Sequence, residues 1–181
     1  MDQLKAEKIQ SQMAALVGSR ESLLLASVAA DGTPHASYAP TVPGKGGKYY
    51  VHVSELAKHF HNLSTDGRVS ALIIEDEKDA ANIFARKRLT LEGRASEIDK
   101  ESPLWAEVMD RFTKKFGAFF EQSLRHLKDF HTFELSFDSG TLVLGFGSAF
   151  RLTGEELGQL DWLRGEHGTA GTGLAHTGAN H

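Results

Sequence analysis

The chain has 181 residues, enough for a single domain with its own apolar core and no need of covalent staples. Twenty basic against 24 acidic residues leave a net charge of −4, so the chain as a whole carries no basic field that would draw nucleic acid. There is no cysteine, which excludes disulfides, thiolate catalysis, iron–sulfur ligation and Cys-ligated zinc or haem, and leaves His, carboxylate or Tyr for any metal chemistry.

Leu4, Ile9, Met13, Leu16 and Val17 recur at helical spacing and Gly18 supplies a stop, which predicts an amphipathic helix over residues 1–18. Residues 22–29 and 35–42 read as two strands joined by the turn pair Asp31-Gly32, a β-hairpin. After a glycine turn at 44–47, residues 48–53 alternate as a half-buried strand. Ser54 is the expected N-cap of a helix running through Leu63, and 68–75 reads as an apolar interior strand followed by a solvated acidic stretch. Residues 86–98 predict a long strand with Gly93 at a bend or bulge. Ser102-Pro103 starts a helix with Trp105, Val108, Met109 and Phe112 on its apolar face; Gly117 interrupts it and 119–127 continues it. Two closing strands are expected at 130–137 and 141–146, joined by a turn at Asp138-Ser139-Gly140.

Seven strands, mostly hairpin-linked, with short helices between them predict a mainly β fold: a small antiparallel β-barrel with peripheral α-helices. No Gly-rich phosphate loop joins a strand to a helix, against a Rossmann or P-loop enzyme. The apolar runs at 22–30 and 69–74 are too short to span a bilayer, and the first 18 residues are charged rather than signal-like. A cytoplasmic protein with neither membrane nor nucleic-acid partner is expected. Three units are expected: an N-terminal helix at 1–18, a barrel domain at 19–152, and a C-terminal helix with a Gly/His-rich tail at 153–181. From Gly165 onward that tail holds five glycines and three histidines, His167, His176 and His181, spaced nine and five apart. Such a segment has little apolar surface to bury, so its histidines invite a metal or haem iron, and the spacing is not that of a purification tag.

The order of motifs LLLASVAADGTPHASYAP, YYVHVSELAKHFHNL, VSALIIEDE, FARKRLTLEG, LKDFHTFEL and GFGSAF, followed by a His-bearing tail, resembles the split-barrel superfamily that includes pyridoxamine 5'-phosphate oxidase. More closely, it is similar to the haem-utilisation branch, the HutZ/HugZ family. The resemblance covers roughly residues 22–167. It implies an antiparallel split β-barrel, a homodimer, and haem held near the subunit interface and opened oxidatively with dioxygen and external electrons. A small-molecule donor or reductase would supply those electrons, and a haem-delivery protein is a further expected partner.

Carried over by position, the resemblance makes His167 the axial ligand of the haem iron, with His176 in reserve and His181 weaker. Asp129 becomes the acidic partner of that ligand, supplied by the other subunit. Arg88 falls on the haem face and His59 at the interface, with His61 nearby. An imidazole that binds iron through one nitrogen can donate the other N–H to a carboxylate, which fixes its tautomer and makes it more electron-rich. Arg88 offers a fork of donors for a propionate or a distal oxygen ligand, and strand alternation predicts Arg86 on the same side with Lys87 opposite. That cationic face would equally suit a flavin phosphate. His35, His52, His126 and His131 read as surface or barrel-edge residues, and the glycines of GFGSAF as a bend closing the barrel or a place of close approach. Two other readings remain: a non-enzymatic haem carrier or storage protein, and an FMN-dependent split-barrel oxidoreductase, which would leave the tail unexplained.

Overall fold

Strand alternation along the chain produces a closed barrel in the computed structural model, which describes residues 3–163. Among these residues the strands are β1 (Ser22–Val28), β2 (Pro34–Pro43), β3 (Tyr49–Ser54), β4 (Arg68–Ile74), β5 (Arg88–Glu97), β6 (Phe130–Val143), β7 (Ala149–Thr153) and β8 (Gln159–Trp162). Their order is β3-β2-β1-β4-β5-β6-β7-β8, and pairing of β3 with β6 closes the first six into an antiparallel ring. In β1, Leu23 and Leu25 face the interior while Leu24 and Ala26 face out, the pattern a half-buried strand requires. The hairpin to β2 turns at Gly32, whose φ of +85° suits glycine, and Asp31 Oδ1 accepts the Thr33 amide at 2.9 Å.

The core fills the ring with Val51, Ala71, Ile73, Leu89, Phe133 and Leu135, all nearly inaccessible. Helix α1 (Gln3–Gly18) lays Ile9 and Leu16 on it, while Leu4 stays in solvent. A second cluster lies outside the ring, where α3 (Pro103–Phe119) packs Val108, Met109 and Phe112 against Val42 and Tyr50. Ser102 caps α3 by accepting the Trp105 amide at 3.2 Å with Pro103 in the first turn, as the sequence predicts. Gly117 (φ 70°, ψ −154°) breaks the helix, and the chain continues as one π-helical turn, Phe120–Leu124.

Four expectations are corrected. The two closing strands are one: β6 runs unbroken from Phe130 to Val143, and Asp138 is an extra residue opposite the Glu92/Gly93 step. Residues that look like a hairpin turn form a bulge, because both halves of the strand stay paired to β5. Ser54 does not cap a helix; it ends β3 opposite Phe130, and α2 (Lys58–Thr65) starts after a turn. The GFGSAF glycines make the turn between β6 and β7, with Gly145 and Gly147 at φ 146° and 66°. The helix expected after residue 153 is instead a short 3-10 turn, Glu155–Leu157, followed by β8, because Gln159–Trp162 pairs along the open edge of β7.

Candidate functional site

Arg88 opens β5, directly opposite Ile74 on β4 and Val143 on β6. Paired residues of an antiparallel sheet point to the same side, and Leu89 beside it faces the core, so Arg88 lies on the outside of the barrel. The same outer face carries Leu72 on β4, Leu24 on β1 and Tyr38 on β2, which stand in one cross-strand row. Leu24 is 47% and Tyr38 65% exposed; the row meets β5 at Thr90, and Arg88 lies two residues along that strand on the same outer face.

The expected pair of like-facing arginines reduces to one. Arg86 precedes the strand; its Nε donates to the Glu75 carbonyl at 3.1 Å and its Nη1 lies 3.3 Å from Glu77. Lys87 Nζ is 3.7 Å from Glu75 Oε2. Arg88 donates from Nη1 to the Arg86 carbonyl at 3.1 Å and forms no ion pair among the described residues, so most of its donor fork remains to be used.

Asp129 stands at the opposite end of β6, half-buried just before Phe130. Ser54 Oγ donates to its Oδ2 at 3.1 Å, and its carbonyl accepts the Glu55 amide at 2.8 Å. His59 is in the first turn of α2, five residues after β3 ends at Ser54, and so lies toward the Asp129 end of the molecule. Burial first, and then His35 close by, push its pKa below the ordinary histidine value, which keeps the ring neutral at pH 7. His61 is exposed.

The tail histidines His167, His176 and His181 lie outside the described residues. The root of the tail does not: the Leu163 amide donates to the Ala149 carbonyl at 2.8 Å, and Trp162 Nε1 to the Gly147 carbonyl at 3.1 Å. Arg88, Val143, Ala149 and Leu163 are therefore neighbours across successive strands. The structure brings the root of the tail and Arg88 to one end of β6 and leaves Asp129 and His59 at the other.

Sequence reasoning passed over one constellation. His131 places Nδ1 against a Glu97 carboxylate oxygen and Nε2 2.7 Å from Glu55 Oε1, with the Phe60 ring centre 4.7 Å away. Burial opposes charging of this imidazole, but the bonds from Glu97 and Glu55 outweigh it and raise the pKa. The partners come from three distant segments, and no local spacing could have announced them. His52, expected near the barrel edge, is instead a core residue. Its Nδ1 is 2.9 Å from Thr132 Oγ1, Phe112, Phe120 and Phe130 surround it, and burial drives its pKa down to about 4. Among the described residues, no group of three or more His, Asp or Glu side chains could hold a metal ion.

A ring of six antiparallel strands whose sixth strand runs on to build a further layer with β7 and β8 defines a split-barrel protein. The chain belongs to the pyridoxamine 5'-phosphate oxidase family, which matches residues 9–144, and within it to the haem-utilisation HutZ/HugZ branch. It is 38% identical over 170 residues to the heme oxygenase HutZ of Vibrio cholerae, covering 92% of this chain and 94% of that one. A crystal structure of HutZ from Vibrio cholerae, described there as the heme storage protein, superposes with a TM-score of 0.68 at 38% identity over 72% of this chain and 90% of that one. Campylobacter jejuni ChuZ gives a TM-score of 0.77 at 29% identity over 87% of this chain and 63% of its own. A heme binding protein from Mycobacterium smegmatis gives 0.69 at 25% identity over 84% and 59%. No helix of the described residues is long and apolar enough to cross a membrane.

Proposed function

We propose that the protein is a homodimeric haem-binding protein that degrades haem oxidatively, opening the porphyrin with dioxygen and external electrons and releasing iron. The observation that carries the reading is the outer sheet face: exposed Leu24 and Tyr38 and partly buried Leu72 share a row that meets β5 at Thr90, and two residues along that strand stands Arg88, a guanidinium with no ion pair among the described residues. A porphyrin is a flat apolar ring with two carboxylates, and this surface has the chemistry to meet both parts. Likeness to a heme oxygenase over most of the chain supports the same reading.

Chain geometry favours a site shared between two subunits. From Leu163 to His167 the backbone reaches at most ~14 Å, whereas Val143 and Phe130 are separated by roughly 40 Å of strand. One chain can thus place His167 near its own Arg88 but not near its own Asp129. A second copy, docked through this row, supplies the carboxylate and also covers Leu24 and Tyr38.

Bound haem would supply the iron at which dioxygen is reduced. His167 would ligate the metal, and the partner's Asp129 would accept its free imidazole N–H, holding the tautomer and raising the electron density on the ligand. Arg88 would donate hydrogen bonds to a haem propionate or to dioxygen. His59, neutral at pH 7, would hold or pass a proton at the interface, and the joined sheet faces would exclude water.

Haem and FMN titrations of the purified protein, followed by absorption, test this directly. A Soret band that grows to one haem per chain, shifts or weakens strongly in His167→Ala, and then disappears with reductant and dioxygen as iron is released is the expected result. Uptake of FMN with no response to haem overturns it. Haem that stays intact under reductant favours the carrier or storage reading, which the description of the HutZ crystal structure supports. Loss of the band in His176→Ala alone would move the ligand to that residue.

A further inference from the structure

A pocket of about 380 Å³ opens between the β1–β2 turn and the first turns of α2, lined by Asp31, Thr33, His35, Lys58, His61 and Asn62. Nothing in the haem reading uses it. Lys58 and His61 are three residues apart on α2 and share a helix face, and His35 meets them from β2. His59 adds a fourth basic group close to His35. None of the four forms an ion pair among the described residues.

Asp31 is the one carboxylate lining the pocket, and its Oδ1 accepts the Thr33 amide at 2.9 Å. The Asn62 side-chain amide turns away to donate to Ser27 Oγ at 2.9 Å. Inside the pocket wall, His35 Nδ1 is buried with no hydrogen-bond partner. An unpartnered ring nitrogen, on a residue that lines the pocket together with a lysine and a second imidazole, leaves hydrogen-bonding capacity that an added group would complete.

We propose that this pocket is an oxyanion site in which Lys58, His35 and His61 hold a carboxylate or phosphate group. Each of the three side chains offers an N–H donor to such an anion, and Asp31 is the carboxylate that lines the same pocket. A carboxylate of haem and free inorganic phosphate share this chemistry. The first source rests on the haem reading and the second does not.

Two measurements on the full chain decide it. Inorganic phosphate titrated into the protein without haem should shift the His35 and His61 ring-proton resonances saturably. Lys58→Met should weaken that binding about tenfold while leaving the circular dichroism unchanged. In parallel, protohaem and its dimethyl ester are bound to wild type and Lys58→Met. Weaker binding of protohaem alone assigns the pocket to a haem carboxylate, and unchanged protohaem affinity with a phosphate response assigns it to a free anion. If neither phosphate nor protohaem responds to Lys58→Met, the proposal is overturned. A wild type that ignores haem yet binds phosphate through Lys58 would sink the haem reading and leave the oxyanion site standing.

Discussion

Ser54 donates its hydroxyl to Asp129 across 3.1 Å, joining the last residue of β3 to the residue that precedes β6. The bond uses Oδ2, and the backbone of the same residue is held by the Glu55 amide, so the carboxylate is oriented with its Oδ1 left to accept a further donor. In the proposed dimer that donor is the N–H of the partner's iron ligand.

Asp129→Asn should therefore fold normally, its stability within about 1 kcal/mol of wild type, because a half-exposed amide keeps one acceptor for Ser54. Its rate of haem loss under reductant should fall roughly tenfold or more, since a neutral amide is the weaker acceptor for an imidazole proton. Equal rates in the two proteins would remove Asp129 from the mechanism.

The buried imidazole of His52 makes stability depend on pH in a defined direction. Its folded pKa is about 4 against 6.5 for the free side chain, so below pH 6.5 the unfolded chain takes up a proton that the native state refuses. The contribution is intact above pH 6.5 and is lost as the pH falls toward 4, by on the order of 3 kcal/mol. Urea titrations across this range should show a shallower pH slope for His52→Gln than for wild type. Parallel slopes would mean that His52 does not stay neutral.

Gly93 sits where β5 meets the bulge, and a Cβ there would lie 2.0 Å from the Ser136 carbonyl oxygen and 2.7 Å from Phe137 Cα. Both are backbone atoms in the middle of a paired strand, so they cannot swing aside. Gly93→Ala is expected to destabilise the fold by about 3 kcal/mol or to prevent soluble expression, read from thermal melts. A change of less than ~1 kcal/mol would show that the bulge can relax.

The proposed subunit contact makes a prediction independent of haem. Leu24→Glu and Tyr38→Glu change side chains that project from the barrel, so each should leave circular dichroism intact. Each buries a charge in the contact and should halve the mass seen in sedimentation velocity. A mass unaffected by either change would place the contact, if there is one, on another face.

Much of the barrel was legible because its information is local. The β1–β2 hairpin follows from alternation around Asp31-Gly32, the start of α3 from Ser102-Pro103, and the kink near Gly117 from a residue that tolerates positive φ. Where local signals misled, a partner strand had overruled them. Asp138-Ser139-Gly140 has the composition of a turn, yet β5 pairs with the chain on both sides of it and makes it a bulge. Ser54 has the composition of a cap, yet β6 claims it as the end of a strand.

By itself the sequence determined the element types over most of the chain, the absence of thiol chemistry, and the membership of the family, since each depends on residue identity and near-neighbour spacing. Only the tertiary structure decided that Arg88 and the root of the tail share one end of β6 while Asp129 occupies the other, and that His131 lies between Glu55 and Glu97. Those relations join residues up to 76 positions apart. They are set by strand register and by which side of the sheet each residue faces, which the pairing of distant strands settles and no short window of sequence contains.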